Sequence, residues 1–268
     1  MPLQWGMESF FAHNLQLIVL LVASLWAGVL NTLAGGGSFL SLPILLPLLQ
    51  ARGYSSVSAQ STNIVALWPG QWSSIAVFRH DLREHGHRIV ALALASLVGG
   101  LVGAWLLLLT PNQRFLHLLP WLMLFAAVMF FVSEWLGRWA ARHRAAHVSE
   151  FWLVAGMTVV SAYVGYFGAG GGFLVMALLA VCGIREMREM IALKTVNGLV
   201  SIGIAVVWFV AHGRIAWNVC VEMAVLATVG GYLAAHSSKR MNPLWMRRFV
   251  SFIGFATAAW FFWRDYSH

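Results

Sequence analysis

The sequence predicts an all-α integral membrane protein of ten membrane segments, two of them short or broken, arranged as a 5+5 inverted repeat. Three observations predict it. Of 268 residues, 60% are apolar and only 10% charged, with a mean hydropathy of +0.77; a water-soluble domain carries about 25% charged residues. Apolar runs long enough to cross a bilayer follow one another along the chain. A glycine-rich stretch near the start also returns in the second half.

Net charge is +8, from 17 Lys and Arg against 9 Asp and Glu. On a soluble protein this would suggest a nucleic-acid partner. Here the basic residues lie in short loops between apolar runs, where they set orientation instead. Cys182 and Cys220 both sit in apolar surroundings, which fits neither a disulfide framework nor a zinc-ligand spacing. No G-x-S-x-G, H-E-x-x-H or Walker sequence is present, so no catalytic residue, metal or cofactor is expected.

Taken in order, the long apolar runs cover 15–34, 57–78, 88–110, 115–137, 151–168, 190–211, 217–236 and 245–263. At ~1.5 Å per residue, each can span a hydrocarbon core of ~30 Å. The first has no Lys or Arg before it, unlike a cleavable signal, and reads as a retained membrane helix. Two further segments are short: Ser38–Leu49, which contains Pro43 and Pro47, and Phe173–Cys182, which follows a glycine run. These read as partial helices or re-entrant pieces.

The basic residues indicate whether the short pieces cross. If they do, Arg79, Arg83, Arg88, Arg138, Arg142, Arg144, Arg185, Arg188, Lys239, Arg240, Arg247 and Arg248 fall on one side. The other side holds Arg52, Arg114, Arg214 and Arg264, and Lys194 lies within a helix. If the short pieces turn back instead, the counts become even. Cytoplasmic loops concentrate Lys and Arg, so ten passages are expected in a cell inner membrane, with both termini on the non-cytoplasmic side.

Internal repetition supports the same count. Ala34-Gly35-Gly36-Gly37 returns as Ala169-Gly170-Gly171-Gly172, Asn63 has a counterpart in Asn197, and Gly99-Gly100 returns as Gly230-Gly231. The expected organisation is a first repeat over 1–137, a basic cytoplasmic linker at 138–150, and a second repeat over 151–268. Five passages per repeat is odd, so the second copy enters from the opposite side, as in many secondary transporters.

The glycine runs carry the first functional expectation. A triple Gly ahead of a short helix leaves backbone N–H groups that need a partner in the membrane, and a helix N-terminus suits an anion. Gly35, Gly36, Gly37, Gly170, Gly171 and Gly172 are therefore candidate backbone donors, with close helix packing as the plainer alternative. Ser38 could cap the first short helix. Polar residues inside later passages come next: Thr62 and Asn63, then Lys194, Thr195 and Asn197. Such groups face a bundle interior or wet cavity, although interhelical hydrogen bonding or snorkelling would also account for them. Asn31, Tyr163 and Tyr166 are weaker candidates. Trp68-Pro69-Gly70-Gln71 reads as a kink. Glu222 is a candidate proton-coupling carboxylate, with stabilisation of a helix N-terminus as its alternative.

The stretches Gly28-Val-Leu-Asn31-Thr-Leu-Ala-Gly-Gly-Gly-Ser-Phe-Leu-Ser-Leu-Pro43 and Tyr163-Val-Gly-Tyr-Phe-Gly-Ala-Gly-Gly-Gly172 resemble the TauE/SafE family. Ala59-Gln-Ser-Thr-Asn63, Ala192-Leu-Lys-Thr-Val-Asn197 and His212-Gly-Arg-Ile-Ala-Trp217 add to the likeness, which covers nearly the whole chain. The resemblance implies export of small sulfur-containing anions, such as sulfite or organosulfonates, by alternating access. A small anionic substrate, membrane lipids and a coupling ion (proton or sodium) are the expected partners. A passive anion channel, or a membrane-embedded enzyme, would be the alternatives.

Overall fold

A computed structural model describes residues 2–72, 86–142, 149–184, 186–237 and 243–266. Ten α-helices are described: α1 (Pro2–Ala34), α2 (Ser38–Ala51), α3 (Ser56–Leu67), α4 (Gly86–Leu109), α5 (Asn112–Arg142), α6 (Glu150–Tyr166), α7 (Gly171–Val181), α8 (Met187–Ala211), α9 (Trp217–Ser237) and α10 (Pro243–Tyr266). Among the described residues there is no strand. Arg79, Arg83, Arg144, Arg185, Lys239 and Arg240, which enter the charge count, lie outside the described residues, as do residues 143–148 of the basic 138–150 stretch.

Among the described residues, five windows are long and apolar enough to cross a membrane: Leu15–Thr32, Ile89–Leu109, Asn112–Val132, Glu189–Ala211 and Trp217–Ala234. Together they make a multi-pass membrane protein. Their outward positions carry Val22, Trp26, Leu94, Val98, Trp121, Phe131, Val225 and Tyr232, all exposed. In lipid this is the expected arrangement, because acyl chains are as apolar as these side chains.

The short helices α2 and α7 have 14 and 11 residues, well below the ~20 needed to span. Helix α2 runs through Pro43 and Pro47 without a break, a tolerance that membrane helices owe to neighbours re-satisfying freed backbone groups. The helix α1 begins thirteen residues before Leu15, where the apolar run starts. The third apolar run is interrupted where the sequence predicts a kink, and its residues 73–78 lie outside the described residues. Helix α3 stops at Leu67, and Pro69–Gln71 forms one 3₁₀ turn, since Pro69 has no N–H to continue the ladder. All twelve residues of α3 are buried, so this polar helix is enclosed on every side.

Packing between the two halves is reciprocal. Helix α1 lies against α9 as α6 lies against α4; α3 meets α9 as α8 meets α4; α2 meets α10 as α7 meets α5; and α5 packs on α10. Glycines set the closest approaches. A Cβ added at Gly99 would overlap the carbonyl of Thr158 on α6, and one at Gly230 the carbonyl of Leu25 on α1. Gly103 abuts the carbonyl of Ala162, and Gly28 that of Ala227, in the same way. Backbones this close gain dispersion contacts that larger residues would prevent.

This packing generates a test. Gly103→Leu and Gly230→Leu should each cost about 1–3 kcal/mol through overpacking, read as a lower melting temperature of the detergent-purified protein. Val98→Leu, on the exposed face of α4, should leave it unchanged.

Candidate functional site

The two glycine runs end α1 and α6 and begin α2 and α7. Helix α1 closes with the Gly35 N–H donating to the Asn31 carbonyl at 2.8 Å. Gly35 has φ +70, Gly168 φ +79 and Gly170 φ +74, left-handed values that favour glycine. The bends meet: the Gly170 N–H donates to the Gly35 carbonyl oxygen at 2.9 Å. Two segments far apart in sequence thus satisfy each other's irregular backbone.

Side chains hold this junction. Gln60 Nε2 donates to the Phe167 carbonyl at 2.7 Å, and the Tyr163 hydroxyl donates to the Ala169 carbonyl at 2.9 Å. On the other bend, the Ser41 hydroxyl donates to Asn63 Oδ1 at 2.6 Å, and Asn31 Nδ2 donates to the Leu67 carbonyl at 3.4 Å.

Beside the junction lies a cavity of about 60 Å³, lined by Gly35, Gly171, Gly172, Lys194, Thr195 and Asn197 together with Asn31, Thr32 and Gln71. A single water needs at least ~10–15 Å³ measured this way, so the space suits a few waters or one small oxyanion. A smaller neighbour of about 10 Å³ includes Ser38, and shares Asn31, Gln71, Gly168 and Ile202 with the first.

Lys194 supplies the cavity's charge. Its Cε lies 2.6 Å from where a Cβ on Gly172 would stand, so glycine at 172 makes room for the lysine at the start of α7. Among the described residues no carboxylate pairs with Lys194. The Gly172 N–H, free of an intrahelical partner in the first turn, finds no backbone acceptor among the described residues. An ammonium and a helix N-terminus converge on one small space, an arrangement suited to an anion.

The other sequence candidates divide. Gly36 packs beside Val250, and Gly37 against the Ala27 carbonyl; both act in packing, outside the lining. Gly170 has committed its N–H to Gly35. Thr62 lies deeper, accepting from the Ala216 N–H at 3.0 Å and donating to the Ser58 carbonyl, which ties α3 to the start of α9. Asn63 is wholly buried, and its Nδ2 has no partner. Asn197 reaches the cavity, but Nδ2 donates to Ser96 and Ser161 at 2.9 and 2.6 Å, joining α8 to α4 and α6. Thr195 donates to the Ile191 carbonyl. Glu222 stands exposed on α9, outside the lining of either cavity.

Sequence reasoning passed over Thr32 and read Gln71 only as part of a kink. Gln71 Oε1 lies 2.6 Å from where a Cβ on Gly198 would stand, so the first half reaches across α8 through a glycine gap. The readable signal was a glutamine just after a proline break inside an apolar passage. The Thr32 hydroxyl is buried without a partner.

Comparison with known proteins agrees with this architecture. The family profile described as sulfite exporter TauE/SafE matches residues 20–261. A protein of Escherichia coli (strain K12) named "Probable membrane transporter protein YfcA" is 28% identical over 234 residues, covering 87% of this chain and 82% of its own. A "Probable membrane transporter protein" of Xylella fastidiosa (strain 9a5c) is 26% identical over 260 residues, covering 89% and 91%. One from Sinorhizobium sp, "Probable membrane transporter protein ORF9", is 24% identical over 234 residues, covering 85% and 87%. No solved structure matches the chain. With its glycine bends joined beside a cationic cavity, and with the family profile spanning both halves, the chain belongs to the sulfite exporter TauE/SafE family of membrane transporters.

Proposed function

We propose that this protein is a secondary transporter of the inner membrane that exports small sulfur-containing anions, such as sulfite or organosulfonates, by alternating access between two inverted five-helix halves. The observation that carries the reading is the cavity at the joined glycine bends, where Lys194 and the first turn of α7 converge without a protein anion between them. The family's description names sulfite, which supports the chemical class. The reciprocal packing of α1–α5 against α6–α10 supports the repeat. An odd number of segments in each copy gives the inversion, and sites at the meeting of broken helices are typical of such transporters. The charge distribution in the sequence favours termini on the non-cytoplasmic side.

In this reading, binding works as follows. The anion accepts from the Gly172 N–H and sits against the Lys194 ammonium, while the uncharged side chains of Gln71, Asn31 and Thr32 offer further hydrogen bonds to it. Donors held by backbone and helix ends require little reorganisation when the anion enters. Moving one half against the other then exposes the same site to the opposite side.

Flux in proteoliposomes tests this. Gln71→Ala should reduce sulfite efflux at least about tenfold, the loss of roughly one charge-assisted hydrogen bond, with the melting temperature unchanged. Asn197→Ala should act the other way. Losing its bonds to Ser96 and Ser161 should cost about 1–3 kcal/mol of stability. Equal flux in native and Gln71→Ala vesicles would remove Gln71 from the site, and absence of anion flux in the native protein would overturn the reading.

A further inference from the structure

Helices α3 and α8 run past each other in opposite directions. Thr62, in the first half of α3, accepts from the Ala216 N–H just beyond the end of α8. Further along, Trp68 Nε1 donates to the Leu199 carbonyl, and Gln71 reaches Gly198. The joined bends therefore separate two sides, one toward the start of each helix. These sides differ. On α8, Lys194, Thr195 and Gly198 are part-exposed and line the cavity. The matching residues on α3, by the 134-residue spacing of Asn63 and Asn197, are Gln60, Ser61 and Ile64; all three are buried. The Gln60 amide closes this side by donating to the Phe167 carbonyl at 2.7 Å. Closure leaves Gln60 Oε1 and Asn63 Nδ2 buried without a partner, which buried polar groups normally avoid.

Phe167 has a matching residue as well. By the 135-residue spacing of Gly35 and Gly170, it is Thr32. The Thr32 carbonyl is among the last four of α1, which have no intrahelical partner. Gln60 and Phe167 are bonded; their counterparts, Lys194 and Thr32, line an open cavity instead. We propose that Gln60 and Lys194 are paired latches. In the state described, Gln60 shuts the α3 side on the Phe167 carbonyl. In the opposite state Lys194 shuts the α8 side on the Thr32 carbonyl, and the amides of Gln60 and Asn63 face an anion that passes along α3. This rests on the reading of the cavity as the anion site of a transporter.

An exchange of this kind keeps the polar groups partnered in both states, as a membrane interior requires. While the α8 side is open, the Lys194 ammonium holds the anion; once it shuts, the Thr32 carbonyl takes the anion's place. The Gln60 amide meanwhile gives up the Phe167 carbonyl, and Asn63 Nδ2 gains the acceptor it lacks in the shut state. Neutral amides hold an oxyanion less strongly than an ammonium does. Matched residues of unequal chemistry thus give unequal affinities, tighter toward the start of α8 and weaker toward the start of α3. In the orientation proposed above, the tighter side faces the cytoplasm, which suits loading from inside and release outside.

Cysteine reporters in right-side-out and inside-out membrane vesicles test the proposal. The probe is an impermeant quaternary-ammonium thiosulfonate, and mass spectrometry locates the adduct, since Cys182 and Cys220 are also present. Thr195→Cys should be labelled from one face of the membrane and Ser61→Cys from the other. Gln60→Ala removes the α3 latch; it should speed labelling of Ser61→Cys about tenfold and leave Thr195→Cys no faster. Lys194→Met removes the other latch and should slow labelling of Ser61→Cys to a similar extent. A merely structural loosening would speed both reporters in both variants. If Ser61→Cys fails to fold, Val57→Cys, buried one turn nearer the start of α3, replaces it. Both reporters labelled from the same face, an α3 reporter labelled from neither, or both variants shifting it in one direction would overturn the proposal. Flux of methanesulfonate or sulfite in native proteoliposomes would then leave the transport reading intact. No flux of either anion would instead overturn the transport reading, and the latch proposal with it.

Discussion

The hydrogen bond from the Gly170 N–H to the Gly35 carbonyl is the contact on which the rest of this structure depends. A bilayer offers no water to irregular backbone, so non-helical segments at membrane depth persist only where protein or a wet cavity satisfies them. Here two interrupted helices solve that problem together. Each bend uses left-handed glycine to stop one helix and start a shorter one. Their meeting leaves a small polar space that neither could enclose alone.

The enclosed helix α3 is the second consequence. It carries Gln60, Ser61, Thr62 and Asn63 with no exposed surface, and most of these groups serve as struts. Gln60 braces the second bend, Thr62 holds the start of α9, and Asn63 receives the Ser41 hydroxyl of α2. A buried polar group stabilises when its partner is present and destabilises when it is missing, so this helix fixes the register between the halves. The cavity itself draws instead on α1, α7, α8 and the 3₁₀ turn.

Much of this was legible in the sequence. The ten helices, the two short ones among them, and the membrane class follow from apolar run length and composition, because the bilayer imposes both. The glycine repeat correctly pointed to two special bends. What sequence could not resolve was which polar residue faces which neighbour. Asn63 and Asn197 match in spacing, yet Asn63 lies off the cavity and Asn197 is bonded across to α4 and α6. Helix rotation decides this, and tertiary packing sets helix rotation. Gln71 was hidden for a similar reason: Pro69 explained the break, which left no local cause to suspect the glutamine behind it.

An experimental structure of the protein in a lipid nanodisc with a bound sulfonate would test the central claim most directly. The account predicts anion density between the Lys194 ammonium and the Gly172 N–H, beside joined bends. Density elsewhere in the bundle, or bends held apart with the cavity filled by protein side chains, would contradict it.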